Sequence, residues 1–241
     1  MKILLTNDDG IDSEGIQKLA GILRSVGHRV FVIAPDINRS GISHAVSLLN
    51  GPVKLSAAGE DAWSCSGYPS DCVIVGIMGA LPEKPDMVLS GINQGGNLGT
   101  DIIYSGTAAA ARQASLAGIP ALALSLAGSG AYHWDMAARW AAEHLEELLA
   151  YWERDSFVNV NIPNSAGGPS GLATACPAVK DYNDIISIMS APDGDRWCFL
   201  GAGEETVTGC EGNDWELVSR NIVSVTPVYN CPVVLGDRCP G

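Results

Sequence analysis

The chain opens on a short apolar run, Lys2-Ile3-Leu4-Leu5-Thr6, and turns abruptly polar at Asn7-Asp8-Asp9-Gly10. A run of that length closed by turn formers reads as a buried strand. From Ser13 and Glu14 onward the period changes: Ile16, Leu19, Ala20, Leu23 and Val26 recur at helical spacing until Gly27 stops them. Arg29 to Ala34 is again a compact apolar strand, ended by Pro35. Strand, helix, strand in this order is a β-α-β unit, which implies parallel strands joined by a right-handed crossover.

The same pattern continues along the chain. Val46 to Ser66 mixes short apolar pieces with Asn50-Gly51-Pro52 and suggests a hairpin or excursion. Pro69 to Leu81 reads as a helix with an early proline and several glycines for close packing. Met87 to Ser90 is a buried strand, followed by a glycine-rich loop from Gly91 to Gly106. The alanine run from Thr107 to Leu116 predicts a helix that Gly118 ends. Pro120 to Leu126 predicts a strand, His133 to Trp152 an amphipathic helix, and Phe157 to Ile162 a strand of alternating character. Beyond Pro163 short β-prone pieces, such as Trp197 to Leu200 and Ile222 to Pro227, lie among Gly, Pro, Asn and Asp, which suits an irregular β-rich extension. The organisation expected is an α/β core over residues 1–163 with a β-rich extension over 164–241, part of the same domain and a candidate for oligomer contacts.

Composition narrows the partners. A chain of 241 residues with 46% hydrophobic content suffices for one sizeable α/β domain. A formal net charge of -13, with Lys and Arg placed singly, opposes the phosphate backbone of a nucleic acid polymer. A small phosphorylated metabolite held through a metal remains compatible with it. The amino terminus reaches Asp8 after a few apolar residues, and no stretch approaches the roughly 20 apolar residues of a membrane span. The expectation is a soluble, cytoplasmic protein with no membrane partner. The seven cysteines form no C-x-x-C pair and read as buried or incidental thiols, with a local crosslink in the last third as the alternative.

The chemistry concentrates where strands end. Three loops leave the carboxyl ends of neighbouring strands, the edge on which open α/β sheets place ligands. They carry Asn7-Asp8-Asp9-Gly10, Asn38-Arg39-Ser40-Gly41 and Ser90-Gly91-Ile92-Asn93. Two adjacent carboxylates repel unless something positive stands between them, and a divalent metal is a common remedy. Together the loops offer two carboxylates, a hydroxyl and an amide carbonyl, an all-oxygen set that selects Mg²⁺, Mn²⁺ or Ca²⁺ over zinc. Ser40 and Asn93, taken singly, also suit the satisfaction of turn backbones. A fourth loop, Tyr104-Ser105-Gly106-Thr107, precedes a helix and points free N–H groups at whatever binds there. Ser105 or Thr107 serves equally well as an ordinary N-cap. Metal ligands and an anion cradle on one edge suggest phosphoryl chemistry.

At this point the chain resembles the SurE-type survival proteins, a family of metal-dependent 5'/3'-nucleotidases. The resemblance rests on Ile3 to Gly10, Ala34 to His44, Gly67 to Val73, Pro85 to Gly99 and Ile103 to Ala110, in one order, with looser matches at Phe157 to Pro163 and Ser224 to Pro227. It implies a Rossmann-like, mostly parallel sheet flanked by helices, and hydrolysis of nucleoside monophosphates to nucleoside and inorganic phosphate. It implies Asp8, Asp9, Ser40 and Asn93 as ligands of one divalent cation per subunit, Mg²⁺ or Mn²⁺. One of Asp8 and Asp9 also orients or deprotonates the attacking water. Asn97, Ser105, Gly106 and Thr107 match positions lining the family's phosphate pocket, and His44 matches a variable position read as loop structure. It further implies a homodimer or homotetramer.

Three departures stand out: Ser13-Glu14 replaces the usual Ala-Pro, Gln113-Ala114 replaces Glu-Gly, and the chain stops at Cys239-Pro240-Gly241 without the apolar helical ending of many members. The first should change only the helix start; Gln113 and the short ending keep open a weakened or non-catalytic oligomeric relative that binds phosphorylated metabolites. Other classes fit less well. A receiver domain needs an acceptor Asp and a later Lys, yet no Asp lies between Asp36 and Asp61 and no Lys between Lys84 and Lys180. A dinucleotide-binding oxidoreductase wants Gly-x-Gly-x-x-Gly where this chain has carboxylates. A haloacid-dehalogenase-type phosphatase would separate its two Asp by one residue.

Overall fold

The structure, a computed structural model, describes residues 1–48 and 50–232. The opening apolar run forms β1 (Lys2–Thr6), and the helical pattern after it forms α1 (Glu14–Ser25). Strand β2 (Arg29–Pro35) follows, then a hairpin of β3 (Leu55–Gly59) and β4 (Ala62–Cys65), which is the expected excursion. The Pro69 segment is helical for only seven residues, α2 (Pro69–Val75), and continues as a wider turn over Gly76–Ala80. Its glycines break the α-helix sooner than apolar spacing suggests.

Strand β5 (Met87–Gln94) runs four residues past Ser90, the end expected from apolar character, and carries the polar residues Asn93 and Gln94. A short α3 (Asp101–Tyr104) and the alanine-rich α4 (Gly106–Leu116) come next, then β6 (Ala121–Ala127). The expected long helix is two, α5 (Trp134–Glu143) and α6 (Leu145–Leu149). The break falls at His144, whose ring stacks on Trp140 at 4.2 Å and whose Nδ1 lies 2.8 Å from the Trp140 carbonyl, so a side chain competes for helical backbone. Strand β7 (Ser156–Pro163) closes the parallel set.

Beyond Pro163 lie β8 (Leu172–Thr174), β9 (Val179–Asp181), β10 (Ile185–Ser190), β11 (Arg196–Gly201), β12 (Thr206–Thr208), α7 (Asp214–Ser219) and β13 (Val223–Tyr229). The main sheet runs β3-β4-β2-β1-β5-β6-β7-β13-β8. Every pairing from β4 through β7 is parallel, whereas β13 joins β7 antiparallel. Strands β10 and β11 form a separate, largely exposed ribbon, and β9 and β12 a short pair.

The sheet separates two apolar layers. One packs Ile16, Leu19 and Leu23 of α1 and Ala137, Ala138 and Ala141 of α5 against Leu5, Leu89 and Leu124. The other packs Cys72 and Val73 of α2 and Ala110, Ala111 and Ala114 of α4 against Leu4, Phe31 and Ala123. Burial of both faces explains why the central strands read as continuous apolar runs. Strand β1 lies between β2 and β5, with Leu5 beside both Val32 and Leu89. The chain winds outward from β1 in one direction and resumes on its other side, so a crevice opens beyond its carboxyl end, where such sheets hold ligands.

The cysteine expectation changes for one pair. Cys176 and Cys210 are joined in a disulfide, so the crosslink in the last third is realised. The spacing of 34 residues hid it, because only the fold brings the two loops together beside α7. Cys65 and Cys72 are buried thiols, and Cys198 and Cys231 exposed ones. Cys239 and the ending Cys239-Pro240-Gly241 lie outside the described residues. No helix among the described residues is long and apolar enough to cross a membrane.

Candidate active site

The turn after β1 is built by Asn7. Its amide donates to the Gly10 carbonyl at 2.9 Å and the Ser13 hydroxyl at 2.7 Å, and its Oδ1 accepts from Gly10 N–H at 3.2 Å. These bonds fix the chain so that Asp8 and Asp9 follow the strand end directly, and they engage Ser13. Asp8 is 4% exposed. Its carboxylate accepts from the Thr107 hydroxyl at the start of α4. The Asp8 main-chain carbonyl accepts from Arg39 N–H at 2.7 Å, which joins the second loop to the first.

Asp9 is held from both sides. Its Oδ2 accepts from Gln94 N–H at 3.0 Å, and Asn38 Nδ2 lies 3.4 Å from its Oδ1. Asn38 Oδ1 accepts from Ser40 N–H at 2.8 Å, so one side chain ties the Ser40 loop to the acidic turn. Asn93 uses its amide nitrogen on the Gly95 carbonyl at 2.9 Å, which leaves the side-chain oxygen for another partner. A cleft of about 320 Å³ opens over these loops, with Asp8, Ser40, Asn93, Asn97, Asp101 and Ser105 on its walls. The fold thus gathers the sequence candidates Asp8, Ser40, Asn93, Asn97 and Ser105 around one space, with Asp9 at its side.

The two helix-start residues behave differently from Asn97. Ser105 N-caps α4, its hydroxyl accepting from Ala108 N–H at 3.0 Å, while the residue also lines the cleft. Thr107 is fully buried and turned to Asp8. Gly106 packs against Asp8 so closely that an added Cβ would lie 2.8 Å from the Asp8 Cβ. His44 is a loop residue as expected: its Nε2 lies 3.0 Å from Gln113 Oε1, so the loop is tied to α4. Burial lowers the His44 pKa, with the Gln113 bond acting in the opposite sense.

Electrostatics mark the acidic pair. Burial pushes the Asp8 carboxyl up, against the hydrogen bonds from Thr107 and Gly106. Burial likewise pushes Asp9 up to about 6, with the neighbouring Asp8 charge adding to it and the Gln94 amide opposing it. Among the described residues no Lys, Arg or His forms an ion pair with either carboxylate. Buried like charges without a cationic partner are costly, and a bound cation removes the cost. The donor atoms at hand are all oxygen, and no cluster of three or more His, Cys, Asp or Glu occurs among the described residues. A hard divalent cation fits this set, and a soft or thiolate-seeking metal does not.

The residues that prop Asn97 and brace the far wall are not among the candidates that the sequence offers. Asn97 is suspended from β7: its N–H donates to Asn161 Oδ1 at 2.8 Å, and its carbonyl accepts from Asn159 at 2.8 Å and Asn161 at 3.1 Å. Its side chain donates to Ser125 Oγ at 2.8 Å. The signal was the alternation Val158-Asn159-Val160-Asn161 in a strand buried on both faces, where an amide persists only with a partner. Asp214, fully buried, accepts from Gly99 N–H at 2.7 Å and Ala178 N–H at 2.8 Å and so braces the far wall. Asp101, Tyr104 and Tyr182 complete that wall, Tyr182 donating to Asp101 at 2.5 Å.

The fold and cleft define a class: an open, mostly parallel α/β sheet with an acidic, oxygen-lined crevice at its switch point. A family model described as Survival protein SurE matches residues 3–183. The 5'-nucleotidase SurE of Geobacter sulfurreducens is 42% identical over 235 residues, covering 95% of this chain and 88% of that protein. The 5'-nucleotidase SurE of a Synechococcus strain is 40% identical, covering 95% and 91%. The crystal structure of the SurE protein from Aquifex aeolicus superposes with a TM-score of 0.83 at 34% identity, covering 97% of this chain and 95% of that one. The chain belongs to the SurE family.

Proposed function

We propose that the protein is a divalent-metal-dependent 5'-nucleotidase that hydrolyses nucleoside monophosphates to nucleoside and inorganic phosphate. One observation carries the reading beyond the names of its relatives. No Lys, Arg or His among the described residues lines the cleft, and while Asp101 on its wall is paired with Lys180 at 3.4 Å, Asp8 has no ion-pair partner among the described residues, so a phosphate dianion meets like charge there. In a chain of net charge -13 a hard cation is what reverses that repulsion. We assign Asp8, Asp9, Ser40 and Asn93 to hold the cation, which when bound supplies polarisation of the phosphoryl oxygen and a more acidic water.

The remaining work falls to the chain. The Thr107 hydroxyl bonded to Asp8 opposes the upward push of burial on its carboxyl, and a bound cation would favour the carboxylate form inside the cleft. Asp9, with its affinity for a proton raised into the range of a general base, accepts the proton of the attacking water or orients it. Asn97 and Ser105, with the Gly106-Thr107 helix start behind them, face the phosphate oxygens. The test is phosphate release from AMP and GMP by purified protein with Mn²⁺ or Mg²⁺. The reading expects turnover that EDTA abolishes and that Asp9→Asn removes; turnover indifferent to EDTA would overturn it.

The same reading covers association. Ribbon β10–β11 leaves Ile186, Ile188, Trp197 and Leu200 more than half exposed. Two strands alone are marginal in water, and this ribbon exposes apolar side chains on both faces, Ile186, Ile188 and Leu200 on one and Trp197 on the other, so we assign it to contacts between copies of the chain. Sedimentation tests it: an assembly is expected, and Ile188→Asp with Trp197→Asp should shift it toward monomer.

A further inference from the structure

A second cavity of about 580 Å³ adjoins the acidic cleft, and the two share Gly96 and Asp101 along a common rim. Its chemistry is different. Leu98, Val218 and Trp215 give it an apolar wall, and Asn164, Ser219 and Asn221 edge it with neutral polar groups. Lys180 is the one basic side chain among the described residues lining it, and it is already engaged by Asp101 at 3.4 Å and Glu205 at 3.1 Å. The cavity therefore offers no spare cation to an anion. Its volume suits a ligand of nucleoside size, and its lining suits a flat, uncharged, partly apolar group.

Trp215 is the aromatic side chain on that wall, and it is 38% exposed. Lys180 Nζ sits 5.5 Å from its ring centroid and also contacts Asp101, so the indole and the rim carboxylate are fixed relative to each other. Gly96 keeps the rim low: an added Cβ would lie 3.0 Å from Ala127 Cβ and 3.2 Å from Leu98 Cδ1.

We propose that this cavity is the nucleoside site, with the base against Trp215 and the ribose crossing the rim at Gly96, where the Asp101 carboxylate accepts from its hydroxyls. The inference rests on the phosphomonoesterase reading, because it needs the phosphate end of the substrate in the neighbouring cleft. Charge is divided accordingly: the doubly charged end goes to the cation site, and the neutral end goes to a wall without free charge.

The experiment compares AMP with ribose 5-phosphate, which shares the phosphate and sugar and lacks the base. Wild type, Trp215→Phe and Trp215→Ala are assayed for phosphate release with Mn²⁺, and adenosine is titrated against the protein's tryptophan fluorescence. Loss of a stacking platform should lower the ratio of kcat/KM for AMP to that for ribose 5-phosphate about tenfold in Trp215→Ala, with Trp215→Phe in between. Adenosine should quench wild-type fluorescence, and Trp215→Phe should lose that quenching. A ratio unchanged by Trp215→Ala, or equal adenosine quenching in wild type and Trp215→Phe, overturns the assignment. If Trp215→Ala does not fold, or ribose 5-phosphate is not turned over, the Trp215→Phe fluorescence titration decides alone. Wild type that hydrolyses neither compound refutes the phosphomonoesterase reading instead, and the adenosine titration still judges the cavity.

Discussion

Replacing Gly106 with alanine tests how closely helix α4 and the acidic turn are fitted. The new Cβ would lie 2.8 Å from Asp8 Cβ, 3.0 Å from Asp8 Oδ2 and 3.2 Å from Ile42 Cγ2. Carbon atoms in contact prefer about 3.5–4.0 Å, so Asp8 must recede by roughly 0.7–1.2 Å. It has little room to do so, being 4% exposed and held through its main-chain carbonyl to Arg39 and through its carboxylate to Thr107. Overpacking of this sort costs about 1–3 kcal/mol of stability. A hard cation such as Mg²⁺ tolerates little departure from its ligand geometry, and misplacement by about 1 Å at a reacting centre costs on the order of 10²-fold. The expected result is a folded protein whose kcat/KM for AMP is about 10²-fold lower, with a raised Mn²⁺ requirement, read by phosphate release and urea unfolding. Gly21→Ala is the matched control, because nothing lies within 4 Å of the added Cβ on α1; it should leave turnover alone and add about 0.5–1 kcal/mol of stability. A Gly106→Ala protein with wild-type kcat/KM at every Mn²⁺ concentration would refute the argument.

Other outcomes follow from the same geometry. Asn161→Ala strands the buried Asn97 N–H and should cost about 1–3 kcal/mol in urea unfolding together with a loss of kcat/KM; full activity would show that Asn97 needs no suspension from β7. Thr107→Val removes the hydroxyl that helps keep Asp8 ionised, so the pH at which activity switches on should move upward, and an unmoved profile would contradict the role. Asp9 is held at about 6 against an ordinary 3.8, so the folded chain binds its proton more tightly than the unfolded chain does. Without metal, wild-type stability relative to Asp9→Asn should therefore fall as pH rises from about 4 to about 6 and then level. Added Mn²⁺ should raise the wild-type Tm more at pH 7.5 than at pH 5, and the opposite order would be a contradiction.

The sequence made the scaffold legible wherever one physical signal dominated. Runs such as Leu4-Leu5 and Val88-Leu89, bounded by turn residues, marked strands buried on both faces, and the 3.6-residue spacing of Ile16, Leu19 and Leu23 marked α1. The turns at strand ends then named Asp8, Asp9, Ser40 and Asn93, because parallel strands send all their carboxyl-end loops to one side. What stayed hidden depended on contacts distant in sequence. The alternation of Val and Asn marks Asn159 and Asn161 as in need of partners, but nothing local names that partner as Asn97, 62 and 64 residues away. The Cys176–Cys210 pair, 34 residues apart, and the bracing contact of Asp214 with Gly99, 115 residues away, likewise join segments that no local pattern connects. The second cavity draws on residues from Gly96 to Asn221, so no window of sequence contains its outline.

The central claim is that Asp8 and Asp9, without any cationic neighbour, are assembled to hold a divalent cation. Isothermal titration of Mn²⁺ into EDTA-stripped protein at pH 7.5, with Asp8→Asn and Asp9→Asn alongside, addresses it directly. The account predicts one Mn²⁺ per chain for wild type and loss of that binding in both variants. Wild type that takes up no Mn²⁺, or variants that bind it as wild type does, would contradict it.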